Sequence, residues 1–478
     1  MKDEGAVGAR HAIVVGGSIG GILAARVLAD HFDRVTVLDR DRLPEGSDNR
    51  SGVPQARHLH FFLKRGLMIV EDLFPGIKAD LVAAGSVLLD QGSDFRILYR
   101  SGWSPRVSCD LEICAFTRPL LESTIRRHLA RNPKVRVMDG IEVAGLVAND
   151  GGSRVEGVRV RPRHHGGTGR DEETVLHADL VVDVSGRGSK APEWLRELGQ
   201  PAPKETVVDA FWGYATRIYE PVEGFSADWK SLFILNRPPH QPRAGIIQPI
   251  EGNRWIVTVA GVMKDYPPTD DEGFLKFAKS LSSPELFRAI RAARPLSKVW
   301  GYRQTENRLR EYATMPQGFV TLGDAVCSFN PVYALGMTVT CLAALELREG
   351  LLEGKGVLDS RAFQKRISKL VEAPWALTTG EDMRWPMTEG GVKTPKVRFM
   401  HWYLEHVIRL IPKSEEVFRR FQEVNHMLKP PTALFHPAVA GRVLRQALGF
   451  HKAAPKPRPQ EVPARAPQTT ASTVAVRH

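Results

Sequence analysis

Residues Gly318 to Leu347 read GFVTLGDAVCSFNPVYALGMTVTCLAALEL, and the rest of the chain is read outward from them. Phe319, Val320, Thr321 and Leu322 have the apolar, β-branched character of a buried strand. They run into Gly323-Asp324, where a tight turn sets a carboxylate at the strand's carboxyl end. Pro331 then precedes an apolar helical stretch from about Gly336 to Leu347. That order suits a site in which an acid grips a ribitol or ribose hydroxyl while the next helix points its amino end at an electron-rich group. A flavin offers both; an ordinary turn after a strand offers the same residues with no ligand. A second motif elsewhere in the chain has to decide.

The amino-terminal region supplies one. His11 to Val15 reads as a strand, Gly16-Gly17-Ser18-Ile19-Gly20-Gly21 as a turn into a helix through about Asp30, and Arg34 to Asp39 as a second strand ending in an acid 18 residues after Gly21. Gly16 allows the tight turn, Gly21 allows close helix packing, and Asp39, followed by Arg40, is placed to accept hydrogen bonds from an adenosine ribose. Ser18 stands at the second glycine position of the GxGxxG pattern, small enough to admit a pyrophosphate. A Gly-rich turn alone says little; strand, helix, second strand and terminal acid together favour a dinucleotide site.

The next segment, Arg50-Ser51-Gly52-Val53-Pro54-Gln55-Ala56-Arg57-His58-Leu59-His60, is a loop that can set Arg50 and Gln55 against a cofactor. Leu59, Leu63, Leu67, Val70 and Phe74 then repeat at near-helical spacing until Pro75-Gly76. On that reading Arg57, His58 and His60 cover the first turn of a surface helix. Thr117-Arg118-Pro119 reads as a helix start with Leu121, Ile125 and Leu129 as its buried stripe. An arginine in a first turn is poorly matched to the helix dipole, so an anionic partner is expected for Arg118.

From Val135 to Val184 the pattern changes to short alternating strands, with turns at Asp150-Gly151-Gly152 and around Gly166-Gly167. The last strand, Leu180 to Asp183, ends in an acid before Val184-Ser185-Gly186-Arg187-Gly188-Ser189. Residues from about Val207 to Tyr302 read as a separate sheet with a helical insertion from about Asp271 to Ala293. Its aromatic residues Phe211, Trp212, Tyr214, Phe233 and Trp255 either line an apolar substrate cavity or belong to an ordinary core. Beyond Leu347 helical segments dominate to Leu448. One apolar face is formed by Val417, Phe418, Phe421, Val424 and Leu428, and another amphipathic segment runs from Phe399 to Ile411. These helices either cap the substrate region or rest on a membrane, with packing preferred. After His451 the Pro/Ala/Thr-rich tail has too few large apolar residues to fold.

Composition sets the outer bounds. The chain has 478 residues, 42% of them hydrophobic and 25% charged, enough for two domains and a sizeable core. Cys109, Cys114, Cys327 and Cys341 show no metal or CxxC spacing and are expected as free thiols of a cytoplasmic protein. No run approaches the roughly 20 apolar residues of a membrane span. The net charge of +12 comes without a compact basic block, which argues against nucleic acid and for a solvated basic surface that can steer anionic cofactors.

Taken together, GGSIGG with Asp39, Arg118, DVSGRGS and GDAVCSFNPVYALGM resemble the FAD-dependent aromatic hydroxylase and epoxidase superfamily, the p-hydroxybenzoate hydroxylase type of fold, over most of residues 11 to 448. RSGVPQARHLH and GDAVCSFNPVYALGM are most similar to the bacterial polyether-type polyene epoxidases and more distantly to squalene epoxidase. The resemblance implies an α/β protein with a Rossmann-like FAD-binding domain interleaved with a β-sheet substrate domain, plus C-terminal helices. The FAD-binding parts would be 1–80, 111–190 and 313–375, the substrate parts 81–110 and 191–312, followed by helices over 376–450 and a disordered tail over 451–478.

It also implies residue roles. Gly16, Ser18 and Gly21 would surround the FAD pyrophosphate, Asp39 the adenosine ribose, and Arg118 the phosphates or ribityl chain. Asp183, Gly186 and Arg187 match a motif that lies near FAD in such proteins and is associated with the pyridine nucleotide. Asp324 would bind the ribityl chain, with Pro331 and the backbone through Gly336 and Met337 beside the flavin ring. Ser18 departs from the pattern, as does Ala334-Leu335 where relatives commonly carry glycine and a polar residue. The implied reaction is insertion of one oxygen atom from O2 into a small lipophilic substrate through a flavin C4a-hydroperoxide, epoxidation being favoured over aromatic ring hydroxylation. NAD(P)H would supply electrons, directly or through a separate flavin reductase. Peripheral membrane contact through the C-terminal helices is a further expectation. Rival readings are an FAD-linked reductase or dehydrogenase of a prenyl-type substrate and an FAD-bound redox sensor. A halogenase is disfavoured because Arg254-Trp255-Ile256-Val257 does not match WxWxIP.

Overall fold

The computed structural model describes residues 8–163 and 173–449; the expected turn around Gly166-Gly167 and the tail after His451 lie outside the described residues. Its organising element is a five-stranded parallel sheet in the order Phe319–Thr321, Leu180–Asp183, His11–Val15, Arg34–Asp39, Val135–Asp139. The first four of these strands are near-continuous runs of buried, mostly apolar residues, as expected where both faces of a parallel sheet are covered, whereas the edge strand Val135–Asp139 is partly exposed. Helices Ile19–Leu28, Lys64–Leu73 and Gly336–Glu353 belong to the core that covers the sheet, with the antiparallel strands Ile141–Ala148, Val155–Pro162 and Thr174–His177 beside it.

Register explains why three distant motifs meet. Val15 pairs with Asp183 and Asp183 with Thr321. The chain therefore leaves these three adjacent strands side by side, at Gly16, Val184 and Leu322, and all three Gly-rich turns emerge at the same edge. This is the carboxyl edge of a parallel sheet, where ligands bind in open α/β folds.

The second sheet has eight strands and is drawn from two separated parts of the chain. Gly213–Glu220, Arg254–Gly261, Ala244–Ile250 and Ser231–Ile234 are neighbours in that order, and Ser231–Ile234 pairs in parallel with Phe95–Tyr99. Helices Asp271–Lys279 and Glu285–Ile290 bury one face of it against Tyr219, Ile247, Trp255 and Val257. The C-terminal helices Pro395–Leu410, Glu415–Asn425 and Pro437–Ala447 pack through Tyr403, Val407, Val417, Phe418 and Val443 against Phe95, Ile97 and Tyr99, so they cap the second sheet.

One local expectation is corrected. The apolar repeat that starts at Leu59 becomes a helix only at Lys64. Pro54–Arg57 forms a single tight turn and residues 58–63 carry no helix. His58 is consequently buried within the molecule rather than covering a surface helix.

Candidate functional site

A continuous cavity of about 1820 Å³ runs from the edge of the parallel sheet, under the second sheet, to the C-terminal helices. A site for one small molecule commonly measures about 300–1,000 Å³; this one has room for a cofactor and a substrate together.

At the sheet edge the glycines are set by close approach. Gly16 has φ +108°, and a Cβ on Gly21 would stand 1.7 Å from the Gly16 carbonyl oxygen. Gly186 has φ +86° and faces open space, so the loop after Asp183 leaves the cavity clear. Ser18, Arg40, Gln55, Arg118, Gly186, Arg187, Asp324, Pro331, Gly336 and Met337 all line the cavity.

Asp39, Arg50 and Asp183 stand behind the wall rather than on it. Asp39 accepts hydrogen bonds from the Gly17 amide at 2.7 Å, the Asp41 amide at 2.8 Å and the Arg50 guanidinium at 3.0 Å. It thus ties the Gly-rich turn to the end of its strand. Arg50 is ringed by Asp39, Asp41 and Glu122; burial works against its charge, but the three carboxylates outweigh it and hold its pKa above the ordinary value. Asp183 is fully buried and accepts from the Ser185 amide and hydroxyl at 2.9 and 2.6 Å and from the Ser189 hydroxyl. Its bonds shape the Val184–Ser189 loop, and burial pushes its pKa up.

Two charged groups face the cavity. Among the described residues nothing donates to the Asp324 carboxylate; burial raises its pKa, with Arg187 and Arg118 opposing. Arg118 begins the helix Arg118–Leu129, capped by Thr117; its Nη2 donates to Ser18 Oγ at 2.9 Å, and its Nε makes no hydrogen bond but stands 3.8 Å from the Glu122 carboxylate. Burial lowers its pKa. A guanidinium and a carboxylate at one cavity edge, the carboxylate without a donor among the described residues, are open to a ligand's phosphates and hydroxyls. A group that brings phosphates and hydroxyls to the Gly-rich edge fits both, and a flavin dinucleotide is such a group.

Further along, His58, Trp212, Tyr214, Phe233 and Tyr302 form an aromatic wall. Tyr214 and Tyr302 stack at 5.7 Å, with His58 tilted against both. Burial pushes the His58 pKa down to about 4 and that of His60 to about 3, so both rings are neutral near pH 7. Of the five aromatic residues considered for this wall, Trp212, Tyr214 and Phe233 line it. Trp255 packs on the opposite face of the sheet, and Phe211 lies under the Lys264 ammonium.

A buried carboxylate that the sequence did not signal holds the loop after Pro331. Asp382, at the end of the helix Ser360–Asp382, accepts from Trp212 Nε1 at 2.9 Å, Asn307 Nδ2 at 2.6 Å and the Tyr333 hydroxyl at 2.7 Å. The Asn330 amide adds contacts at 3.4 Å. Burial pushes the Asp382 pKa up to about 6 despite these donors. Ala334, at the point where relatives commonly carry glycine, sits in the left-handed region with φ +56°. The departure from that pattern is therefore met by ordinary turn geometry at some strain.

Fold and site together define a class. The chain has the fold of FAD-dependent monooxygenases and halogenases. The flavin-dependent brominase Bmp2 matches with a TM-score of 0.60 at 15% identity, over 88% of this chain and all (100%) of that one. A flavoprotein/dehydrogenase from Cytophaga hutchinsonii matches with a TM-score of 0.63 at 14% identity, covering 92% and 100%. PqsL, a probable FAD-dependent monooxygenase from Pseudomonas aeruginosa, matches with a TM-score of 0.55 at 13% identity, covering 88% and 100%. No family model matches the chain. Protein Rv3254 of Mycobacterium tuberculosis (strain ATCC 25618 / H37Rv) is 35% identical over 360 residues, 71% of this chain and 73% of that protein. The chain belongs to the family of Protein Rv3254.

Proposed function

We propose that this protein is an FAD-dependent monooxygenase that transfers one oxygen atom from O2 to a lipophilic substrate held between the parallel sheet and the C-terminal helices. The observation that carries the reading is the large cavity, lined at the Gly-rich edge by Arg118 and by an Asp324 carboxylate with no donor among the described residues, with an aromatic wall beyond them. Ser18, Gly20 and the turn around them would hold the pyrophosphate, Arg40 the adenosine end, Asp324 the ribityl chain, and Pro331 to Met337 the ring. Bound FAD, reduced by NAD(P)H directly or through a separate flavin reductase, would supply the activation of O2.

The chain's own contribution is positioning and exclusion of water. The helix Gly336–Glu353 directs its amino end toward the loop after Pro331, where it favours negative charge. Asp382 fixes Tyr333 and Asn330, and so the path of that loop. The stacked rings of Tyr214 and Tyr302, with His58 edge-on to the first and tilted against the second, offer aromatic surface suited to an alkene or an aromatic ring. Epoxidation of an alkene or polyene, in line with the resemblance to polyene epoxidases, is the preferred reaction. Ring hydroxylation is the second reading, because stacked rings such as Tyr214 and Tyr302 accept an aromatic substrate equally well.

The test is turnover of the purified protein with FAD, NAD(P)H, a flavin reductase and isotopically labelled O2 against a panel of lipophilic polyenes and aromatics, read by product mass. An oxygen-labelled epoxide or phenol is expected. Bound flavin with no labelled product points to the reductase or sensor readings, and a brominated product on adding bromide points to halogenation. Failure to bind FAD at all removes the whole class.

A further inference from the structure

The helix Pro395–Leu410 buries Tyr403 and Val407 but leaves large aromatic side chains in solvent. Phe399 is 50% exposed, Trp402 44% and Phe435 38%. They are one cluster: Phe399 stacks on Phe435 at 6.5 Å and lies 5.8 Å from Trp402, while Phe435 stacks on Tyr403 at 4.4 Å. Lys393, Lys396 and Arg398 are exposed at the start of the same helix, and none of them is ion-paired among the described residues. The cluster is continuous with the large cavity, since Lys396, Met400, Tyr403, Leu434 and Phe435 also line it. Lys396 and Phe435 thus belong both to the outer surface and to the cavity wall.

We propose that this face docks on an anionic lipid bilayer surface, with Phe399, Trp402 and Phe435 at headgroup depth and Lys393, Lys396 and Arg398 against the lipid phosphates. A cluster of exposed aromatic rings near exposed cations without ion pairs among the described residues matches the interface between water and acyl chains. The charge sign selects an anionic leaflet, toward which each nearby cation adds attraction. Among the described residues no helix is long and apolar enough to cross a membrane, so the contact is peripheral. The cavity would then open at the lipid surface and take its substrate from the membrane, a consequence that rests on the lipophilic substrate proposed above. The docking itself does not depend on that reading.

The experiment is co-sedimentation of the full chain with phosphatidylglycerol vesicles and with phosphatidylcholine vesicles at low salt. Binding to the anionic vesicles and little to the neutral ones is expected. The triple variant Lys393→Gln, Lys396→Gln, Arg398→Gln should weaken it by about fivefold for each cation removed. The variant Phe399→Ser, Trp402→Ser should weaken it on both vesicle types, with an unchanged thermal midpoint showing that the fold survives. No binding to phosphatidylglycerol by the parent overturns the proposal. So does binding that neither variant reduces, which would move the contact to another surface such as the basic segment after residue 451. Self-association in light scattering that the aromatic variant abolishes, without vesicle binding, would instead make the face an interface between two copies. Docking with no oxygenated product would leave the membrane surface standing while the proposed reaction fails.

Discussion

Whether a buried polar group already has a partner decides what each side chain at this site can do. Asp324 and Arg118 both line the cavity at the Gly-rich edge, Asp324 with no donor among the described residues, so Asp324→Ala and Arg118→Ala should each weaken FAD binding by about tenfold or more, the worth of a hydrogen bond to a charged group. Fluorescence titration of the apoprotein checks this; unchanged dissociation constants would withdraw both roles. Asp382 is the opposite case, saturated by Trp212, Asn307, Asn330 and Tyr333. Its raised pKa of about 6 means that the protonated form is favoured by the fold. The stabilisation this confers is fully present below the unfolded value, near pH 4, and is lost as pH rises through 6. Relative to Asp382→Asn, the parent should therefore lose stability between about pH 4 and pH 6, as read from urea midpoints. A pH-independent difference would mean that the four donors keep the carboxylate ionised. His58 and His60 work in the reverse sense. Their depressed values, about 4 and about 3, stabilise the fold above the unfolded pKa near 6.5 and cease to do so as pH falls through the folded values. His60→Gln should flatten the acid side of the stability profile by up to roughly 1.4 kcal/mol per pH unit.

Among elements, the turn from His11–Val15 into Ile19–Leu28 is the one with least tolerance. A methyl group at Gly21 would collide with the Gly16 carbonyl, so Gly21→Ala should cost at least about 2 kcal/mol of stability. Gly188, in the neighbouring loop, has nothing within 4 Å of a built Cβ, and Gly188→Ala should change stability by less than about 0.5 kcal/mol. Thermal unfolding of the pair compares them directly; equal losses would show that the loop, not the helix approach, limits the fold. The strand Leu180–Asp183 has a different task. Its terminal acid is buried under the loop that follows, so it sets the path of Val184–Ser189 and leaves Arg187 to face the cavity, where Arg187 donates to the Glu306 carbonyl at 2.9 Å.

On the scale of the whole molecule, the two sheets are interleaved in sequence and joined by one cavity. Strands, glycines and strand-end acids were legible because their signals are local. Alternation, β-branching and the need for φ > 0 at Gly16 are properties of a few consecutive residues. The buried stripe of Arg118–Leu129 was legible for the same reason. Which side chains face the ligand was not. Asp39 and Asp183 end their strands and Asp324 follows its strand by three residues, yet the first two are consumed by backbone amides, hydroxyls and the Arg50 guanidinium, and of the three only Asp324 is left facing the cavity without a donor among the described residues. His58 and His60 looked like surface residues because the helical repeat extended too far toward the amino terminus; a turn at Pro54–Arg57 sends them inward. Asp382 carries no local mark, since its partners come from residues 212, 307, 330 and 333. The sequence by itself determined the strand–helix–strand opening and the three Gly-rich turns, because short-range geometry dictates them, and the α/β class followed from the family resemblance those motifs carry. Only the tertiary structure decided which of the three acids stays free, what walls the cavity and where that cavity reaches the surface, because burial and hydrogen-bond competition arise between segments hundreds of residues apart.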